Sequence, residues 1–174
     1  MAESEAYPKR EVAESTVFFL QAEMARSLRD RCGLDAATAK LDAIGFSAGV
    51  NLATRQSALR FPCISLLDAM KYLCKDMWPV MFRKPVDRLQ VDKAGNYVIQ
   101  DKSFRWLEPF TGAGRDDEVM EAAILHVALP VGFIRGILHA LRVECTVNAD
   151  LSVANFPACH FKVALKAEDG QNFS

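Results

Sequence analysis

Five cysteines and three histidines are the residues of this 174-residue chain that could ligate a metal or attack a carbonyl. Their spacing decides what they can do. A metal centre would have to draw on Cys145, Cys159, His160, His139 and His126. Cys159 and His160 are neighbours on a predicted strand, so their side chains point to opposite faces and cannot share an ion without a bulge. A cysteine nucleophile needs a base beside it and a third group to orient that base, and Cys32, Cys63 and Cys74 carry no such local signature. Cys74 follows Leu73 in a predicted helix and reads as a small buried hydrophobe. The glycine-bearing stretch TGAGRDDE (111–118) lacks the lysine and following hydroxyl residue of a phosphate-binding loop. The expectation is a protein without a catalytic site, a metal or a cofactor.

Composition narrows the class further. Half the residues are hydrophobic (51%), a quarter are charged (25%) and the net charge is -1. That balance fits a globular body and gives no support to a nucleic-acid partner. The apolar run AAILHVALPVGFI (122–134) is too short to span a bilayer and is broken by Pro130, so no membrane helix is expected. The opening MAESEAYPKREV has no apolar core of a secretory signal, and an odd number of cysteines without close-set pairs suits a reducing compartment; the cytosol is the expected location.

The elements follow from periodicity. A first helix is predicted over about 11–31, with Val17, Leu20, Met24 and Leu28 on one stripe and Gly33 at its end. A second, capped by Asp35, runs to about 57. A third spans about 65–78 with a stripe of Leu67, Met70, Leu73 and Met77, and Pro79 marks its end. VDRLQV and NYVIQD alternate with period two around DKAGN and read as a hairpin. FRWLEPF (104–110) is a short strand or an edge cover, and TGAGRDDE is a surface loop. A fourth helical region covers about 118–141, kinked or restarted at Pro130. ECTVNADL and ACHFKVAL close the chain as strands around a turn at 155–157. The expected fold is α+β: an α/β plait with a four-stranded antiparallel sheet. One domain over 15–166 is expected between a partly flexible segment (1–14) and a flexible tail (167–174).

The charged stretch 71–101 therefore resolves into a helix end, a crossing and a hairpin with a solvated face. Arg83 and Lys84 could also meet an acidic membrane surface, although two charges contribute only about 2 kcal/mol. The first two helices are less ordinary. On the second, Leu41, Ile44, Ala48 and Leu52 cluster on one side and Ala39, Ala43, Phe46, Val50 and Ala53 on the other. Gly45 and Gly49 lie between these sides, where another backbone could approach closely. On the first, Phe18, Phe19 and Ala22 lie off the main stripe. Either both sides are buried within one fold, or one side is a docking surface for another chain.

Four motifs in register add to this reading. MKYLCKDMW (70–78), AGNYVIQD (94–101), GFIRGIL (132–138) and PACHFKVAL (157–165), with LDAIGFSAGVNL (41–52) before them, resemble the small-subunit family of the transport protein particle, TRAPP, over about 15–166. The branch they resemble is that of subunit six. The resemblance implies helices on one side of a twisted antiparallel sheet and a non-catalytic scaffold subunit of a vesicle tether. It implies pairing with a paralogous subunit of the third type through the first two helices, and a link to a Rab-type GTPase and to Golgi and endoplasmic reticulum membranes only within the assembly. A homodimer is possible when the partner is absent. The pairing surface would then comprise Phe18, Phe19, Ala22, Ala43, Phe46, Val50 and Ala53. Prokaryotic domains of similar architecture imply an alternative, a stand-alone binder of a small hydrophobic molecule. The chain departs from the family at Val131, at Leu141-Arg142-Val143, where leucine, glycine and isoleucine are typical, and in the longer loop at 110–121. Cys63 lies where the third subunit carries a lipid-modified cysteine, but its neighbours do not match and acylation is not carried over. Arg135 is expected to pair with an acid inside the fold.

Overall fold

Two pairs of glycines spaced four apart determine how the centre of the molecule is built. In the computed structural model, which describes residues 13–57, 65–151 and 156–166, Gly45 and Gly49 lie in α2 (Leu34–Ser57) and Gly132 and Gly136 in α5 (Asp117–Ala140). The helices meet there backbone to backbone. A Cβ on Gly45 would strike the carbonyl of Leu129 and one on Gly49 that of Phe133. Gly132 and Gly136 face the carbonyls of Asp42 and Phe46 in the same way. Any side chain at these positions would force the helix axes apart. The close approach expected at Gly45 and Gly49 is thus made by this chain's own α5.

α1 (Glu14–Cys32) ends at Gly33, whose φ is 78. It packs beside α2, where Ala25 shares a buried cluster with Ala37, Leu41, Leu125 and Ala128. Asp35 stands in the first turn of α2, which begins at Leu34, so it meets the positive end of the helix instead of capping it. Ser65 caps α3 (Leu66–Tyr72) by accepting from the Asp68 amide at 3.2 Å.

Pro79 does not end the third helical segment. The chain widens into a π turn over Leu73–Met77, in which the Trp78 amide reaches back to the Leu73 carbonyl, and helix then continues as α4 (Trp78–Phe82). The wide turn shifts the hydrogen-bond ladder, so the missing N–H and the ring of Pro79 are accommodated at the start of a new turn. Of the predicted stripe, Met70, Leu73 and Met77 are fully buried, whereas Leu67 is exposed.

The sheet has the order β1-β2-β4-β3, every pair antiparallel: β1 (Arg88–Val91), β2 (Tyr97–Asp101), β3 (Cys145–Asp150) and β4 (Cys159–Leu165). Ile99, Phe161, Val163 and Val147 face the helices and are buried, whereas Thr146, Asn148 and Lys162 face solvent. The helices therefore cover one side only, as an α+β plait requires. Residues 105–110 form a 3₁₀ turn, not a strand. Beneath the helices, Trp78 packs on Phe82 and Phe161 with ring centroids 4.6 and 5.5 Å away. Fully buried Asp101 accepts from Trp78 Nε1 at 3.3 Å and from the Ser103 amide at 3.0 Å, and also binds Lys84 Nζ.

α5 continues through Pro130 as one helix, so the restart considered there does not occur. Its 24 residues are consequently long and apolar enough to cross a membrane, but its apolar side chains are largely buried between the sheet and α2. The helix ends in a Schellman motif, with the Val143 amide bonding the Leu138 carbonyl and the Arg142 amide the His139 carbonyl, both at 2.9 Å. Arg142 holds the left-handed position at φ 65. This is the position at which the sequence departs from a typical glycine. The segments 1–12, 58–64, 152–155 and 167–174, with Cys63, the terminal segments and part of the last predicted turn, lie outside the described residues.

Two substitutions test this account. Gly132→Ala would raise helix propensity on an isolated helix. Here it should lower stability by about 1–3 kcal/mol through overpacking against Asp42, read as a drop in the urea midpoint. Arg142→Gly should raise stability by about 0.5–1 kcal/mol by relieving the left-handed backbone of a residue with a Cβ.

Candidate partner-docking face

With α5 covered by the sheet on one side and by α2 on another, α1 and α2 form the outermost layer. Their buried positions are few. On α1, Gln21 and Ala25 are turned inward, which directs Phe19 and Leu20 away from the core; each of these is 68% exposed, and Val17 is 48% exposed. On α2, Gly45 and Gly49 mark the inward side, and Ile44, about 100° round the helix from Gly45, is 44% exposed. Ala39 and Ala43, about 140° and 100° round the helix from Ile44, are exposed as well.

The predicted site residues divide accordingly. Phe19 and Ala43 are exposed, while Phe18, Ala22, Phe46 and Val50 are half-buried. Ala53 is fully enclosed within the main core cluster and drops out of the docking face. Its place on the helix wheel is near Gly49, on the side that meets α5. Phe18 rests near His126 at 6.2 Å between ring centroids and touches Phe19 edge-on. Phe46 is held between the Arg135 guanidinium, 4.8 Å above its ring, and the His139 ring at 5.2 Å. Arg135 also pairs with Asp42, as the sequence led one to expect of it. Burial raises the Asp42 pKa more than the neighbouring guanidinium lowers it.

On α1 and α2, Val17, Leu20 and Ile44 are apolar residues that the sequence assigned to the core side and the structure turns outward. The signal lay in the glycines: centring the inward face of α2 on Gly45 and Gly49, instead of on its aliphatic residues, turns Ile44 outward. Polar residues frame the patch. Arg26 pairs with Glu23 at 2.7 Å and Asp30 at 3.2 Å, and Arg29 pairs with Glu121 across to α5.

The groups that could do chemistry are placed otherwise. Burial pushes the Cys74 thiol up to about 12 and the Cys145 thiol up to about 11, and Cys159 rises as well. Such thiols are overwhelmingly protonated near neutral pH and are poor nucleophiles or ligands. Cys159 lies in the core opposite Asp101 in the strand register, while His160 sits on the other side of the sheet opposite Gln100. Among the described residues no three His, Cys, Asp or Glu side chains converge as a metal site. Lys84 is spent on Asp101, Asp87 and the Ser103 carbonyl, leaving Arg83 as the exposed member of that pair.

A family model described as "Transport protein particle (TRAPP) component" matches residues 17–166, which is nearly the whole described chain. The chain belongs to the TRAPP component family. Among the relatives of this TRAPP component, trafficking protein particle complex subunit 6B of Mus musculus is 37% identical over 129 residues, covering 73% of this chain and 77% of that protein. Subunit 6A of Homo sapiens is 36% identical over 125 residues, with 72% and 76% covered. Subunit 6b of Danio rerio is 36% identical over 147 residues, with 83% and 86% covered. The fold is also that of a crystal structure of subunit 3 from Naegleria fowleri covalently bound to palmitic acid. That match has a TM-score of 0.64 at 15% identity, covering 88% of this chain and 98% of that one. The expected fold and family are therefore borne out, and the setting of this TRAPP component is vesicle transport.

His126, beneath the first helix of the face, offers a test. Its Nδ1 lies 2.8 Å from the Ala122 carbonyl, to which it donates, and burial lowers its pKa from 6.5 more than that bond raises it. Protonation thus favours the unfolded chain, and stability should fall as the pH drops below about 6.5 toward the folded-state value. Urea midpoints measured from pH 7.5 to 5.5 should decline in the native protein. In His126→Gln that decline should be visibly shallower.

Proposed function

We propose that this chain is a non-catalytic scaffold subunit of the TRAPP vesicle-tethering complex. It pairs through α1 and α2 with a paralogous subunit of the third type and supports nucleotide exchange on a Rab-type GTPase only within the assembly. The observation that carries the pairing is the outward apolar set Val17, Phe19, Leu20 and Ile44 on two adjacent helices of a chain with only a quarter of its residues charged. Two large side chains left 68% exposed one after the other on a helix are costly in water and invite a second surface. Ala39 and Ala43 add small residues across which another helix can lie close. The half-buried Phe18, Ala22, Phe46 and Val50 form the floor of this face, with Phe19 and Ala43 at its top.

The names of the relatives support membership of such an assembly, and work at Golgi and endoplasmic reticulum membranes, reached from the cytoplasm, follows from that role. Membrane contact is made through the complex, since Arg83 is the one basic residue of its pair still open to solvent. A native pull-down read by mass spectrometry should return stoichiometric TRAPP subunits. Recovery of the chain alone with a bound lipid would favour a ligand-binding domain instead. Phe19→Glu and Leu20→Glu should each weaken pairing by about 30-fold or more, as a hot spot of about 2 kcal/mol implies. Neither should lower the melting temperature of the isolated chain by much, because both side chains are largely exposed and Phe19 touches only the edge of Phe18. Undiminished pairing in both variants would remove α1 from the interface.

A further inference from the structure

Pro130 has no N–H, so in the continuous helix α5 the carbonyl four residues earlier, that of His126, cannot receive its usual bond. That carbonyl is not left empty. The side-chain amide of Gln21, from α1 and 105 positions earlier in sequence, donates to it from Nε2 at 3.0 Å. Gln21 is only 4% exposed and, with Asp101 and His126, is one of three buried polar or charged residues among those described. Its Oε1 is buried without a hydrogen-bond partner among the described residues. Burying half an amide unpaired is unfavourable, and an aliphatic side chain would avoid it. The arrangement makes sense if the N–H itself is needed.

We infer that Gln21 is a positioning residue: its amide replaces the N–H that Pro130 lacks, and this directional bond locks the rotation of α1 about its own axis. The other contacts of α1 are less directional: small Ala25 lies among Ala37, Leu41 and Ala128, Met24 and Leu28 pack against that cluster only partly buried, and the Arg29–Glu121 ion pair is exposed at the surface. A hydrogen bond tolerates far less rotation. With Gln21 pointing at α5, Phe19 lies about 160° away on the helix wheel and Leu20 about 100° away. The bond therefore holds the two most exposed apolar side chains outward. The consequence for docking rests on the proposed pairing through α1 and α2; the lock itself does not.

Amide hydrogen exchange on the isolated full chain tests the lock without any partner. Gln21→Met, similar in shape but with no donor, should speed exchange of the amides at 18–25 by about tenfold, the scale of one orphaned carbonyl. Pro130→Ala restores a helix N–H to the His126 carbonyl, so in that background Gln21→Met should change exchange in α1 by much less. This coupling separates the inference from a general packing role, which would be indifferent to residue 130. In nuclear magnetic resonance spectra the Gln21 side-chain amide protons should exchange slowly, a reading that needs no variant to fold. Unchanged exchange in Gln21→Met, equal acceleration with and without Pro130, or an unprotected Gln21 side-chain amide would each overturn the lock. If exchange accelerates as expected, affinity for a third-type TRAPP subunit should fall several-fold in Gln21→Met and recover with Pro130→Ala. Undiminished affinity would overturn the positioning role, whereas loss of pairing in Phe19→Glu would still stand as separate support for the face.

Discussion

The backbone contact between α2 and α5 is the constraint on which the rest of the structure depends. Four glycines let the two helices approach until carbonyls of one lie where side chains of the other would be. That approach brings Arg135 to Asp42 and lays its guanidinium over Phe46. It also fixes α5 as the central element, with α2 on one side and the sheet residues Val147, Phe161 and Val163 in the core it shares on the other. A helix covered on several sides has to be apolar around most of its circumference. This is why α5 has a composition long and apolar enough for a membrane span and yet is used as a core helix.

The same constraint leaves α1 and α2 without a further layer. A helix that spends its glycine side on close contact has its remaining surface open unless another element covers it. In this chain the sheet lies on the far side of α5, and its own outer face is occupied by Thr146, Asn148 and Lys162 in solvent. What is left outward on α1 and α2 is Val17, Phe19, Leu20 and Ile44. The proposed pairing would give that exposure a physical reason: a subunit of a larger particle need not complete its own apolar cover.

Much of this was legible in the chain. The element types and the two-sided character of the first helices follow from period-two and period-3.6 patterns, which report what each segment must bury irrespective of its neighbours, whereas the one-sided sheet came from the family resemblance. The motifs at 70–78, 94–101, 132–138 and 157–165 carried the family. Pro79 and Pro130 misled, because a proline stops a helix only when nothing compensates for its lost donor and its ring. At Pro79 the compensation is local, a π turn that begins six residues earlier at Leu73. At Pro130 it comes from Gln21, more than a hundred residues away, and no local pattern could announce it.

The proposed docking face divides in the same manner. Sequence alone determined that α1 and α2 carry apolar residues on more than one side, since that is a matter of which residues are present and how they are spaced. Only the tertiary structure decided which side faces out, enclosing Ala53 and exposing Leu20 and Ile44. Rotation of a helix about its own axis is set by contacts with distant segments, here four glycines and one buried amide, and hydrophobic periodicity is nearly silent about rotation when both sides of a helix are apolar.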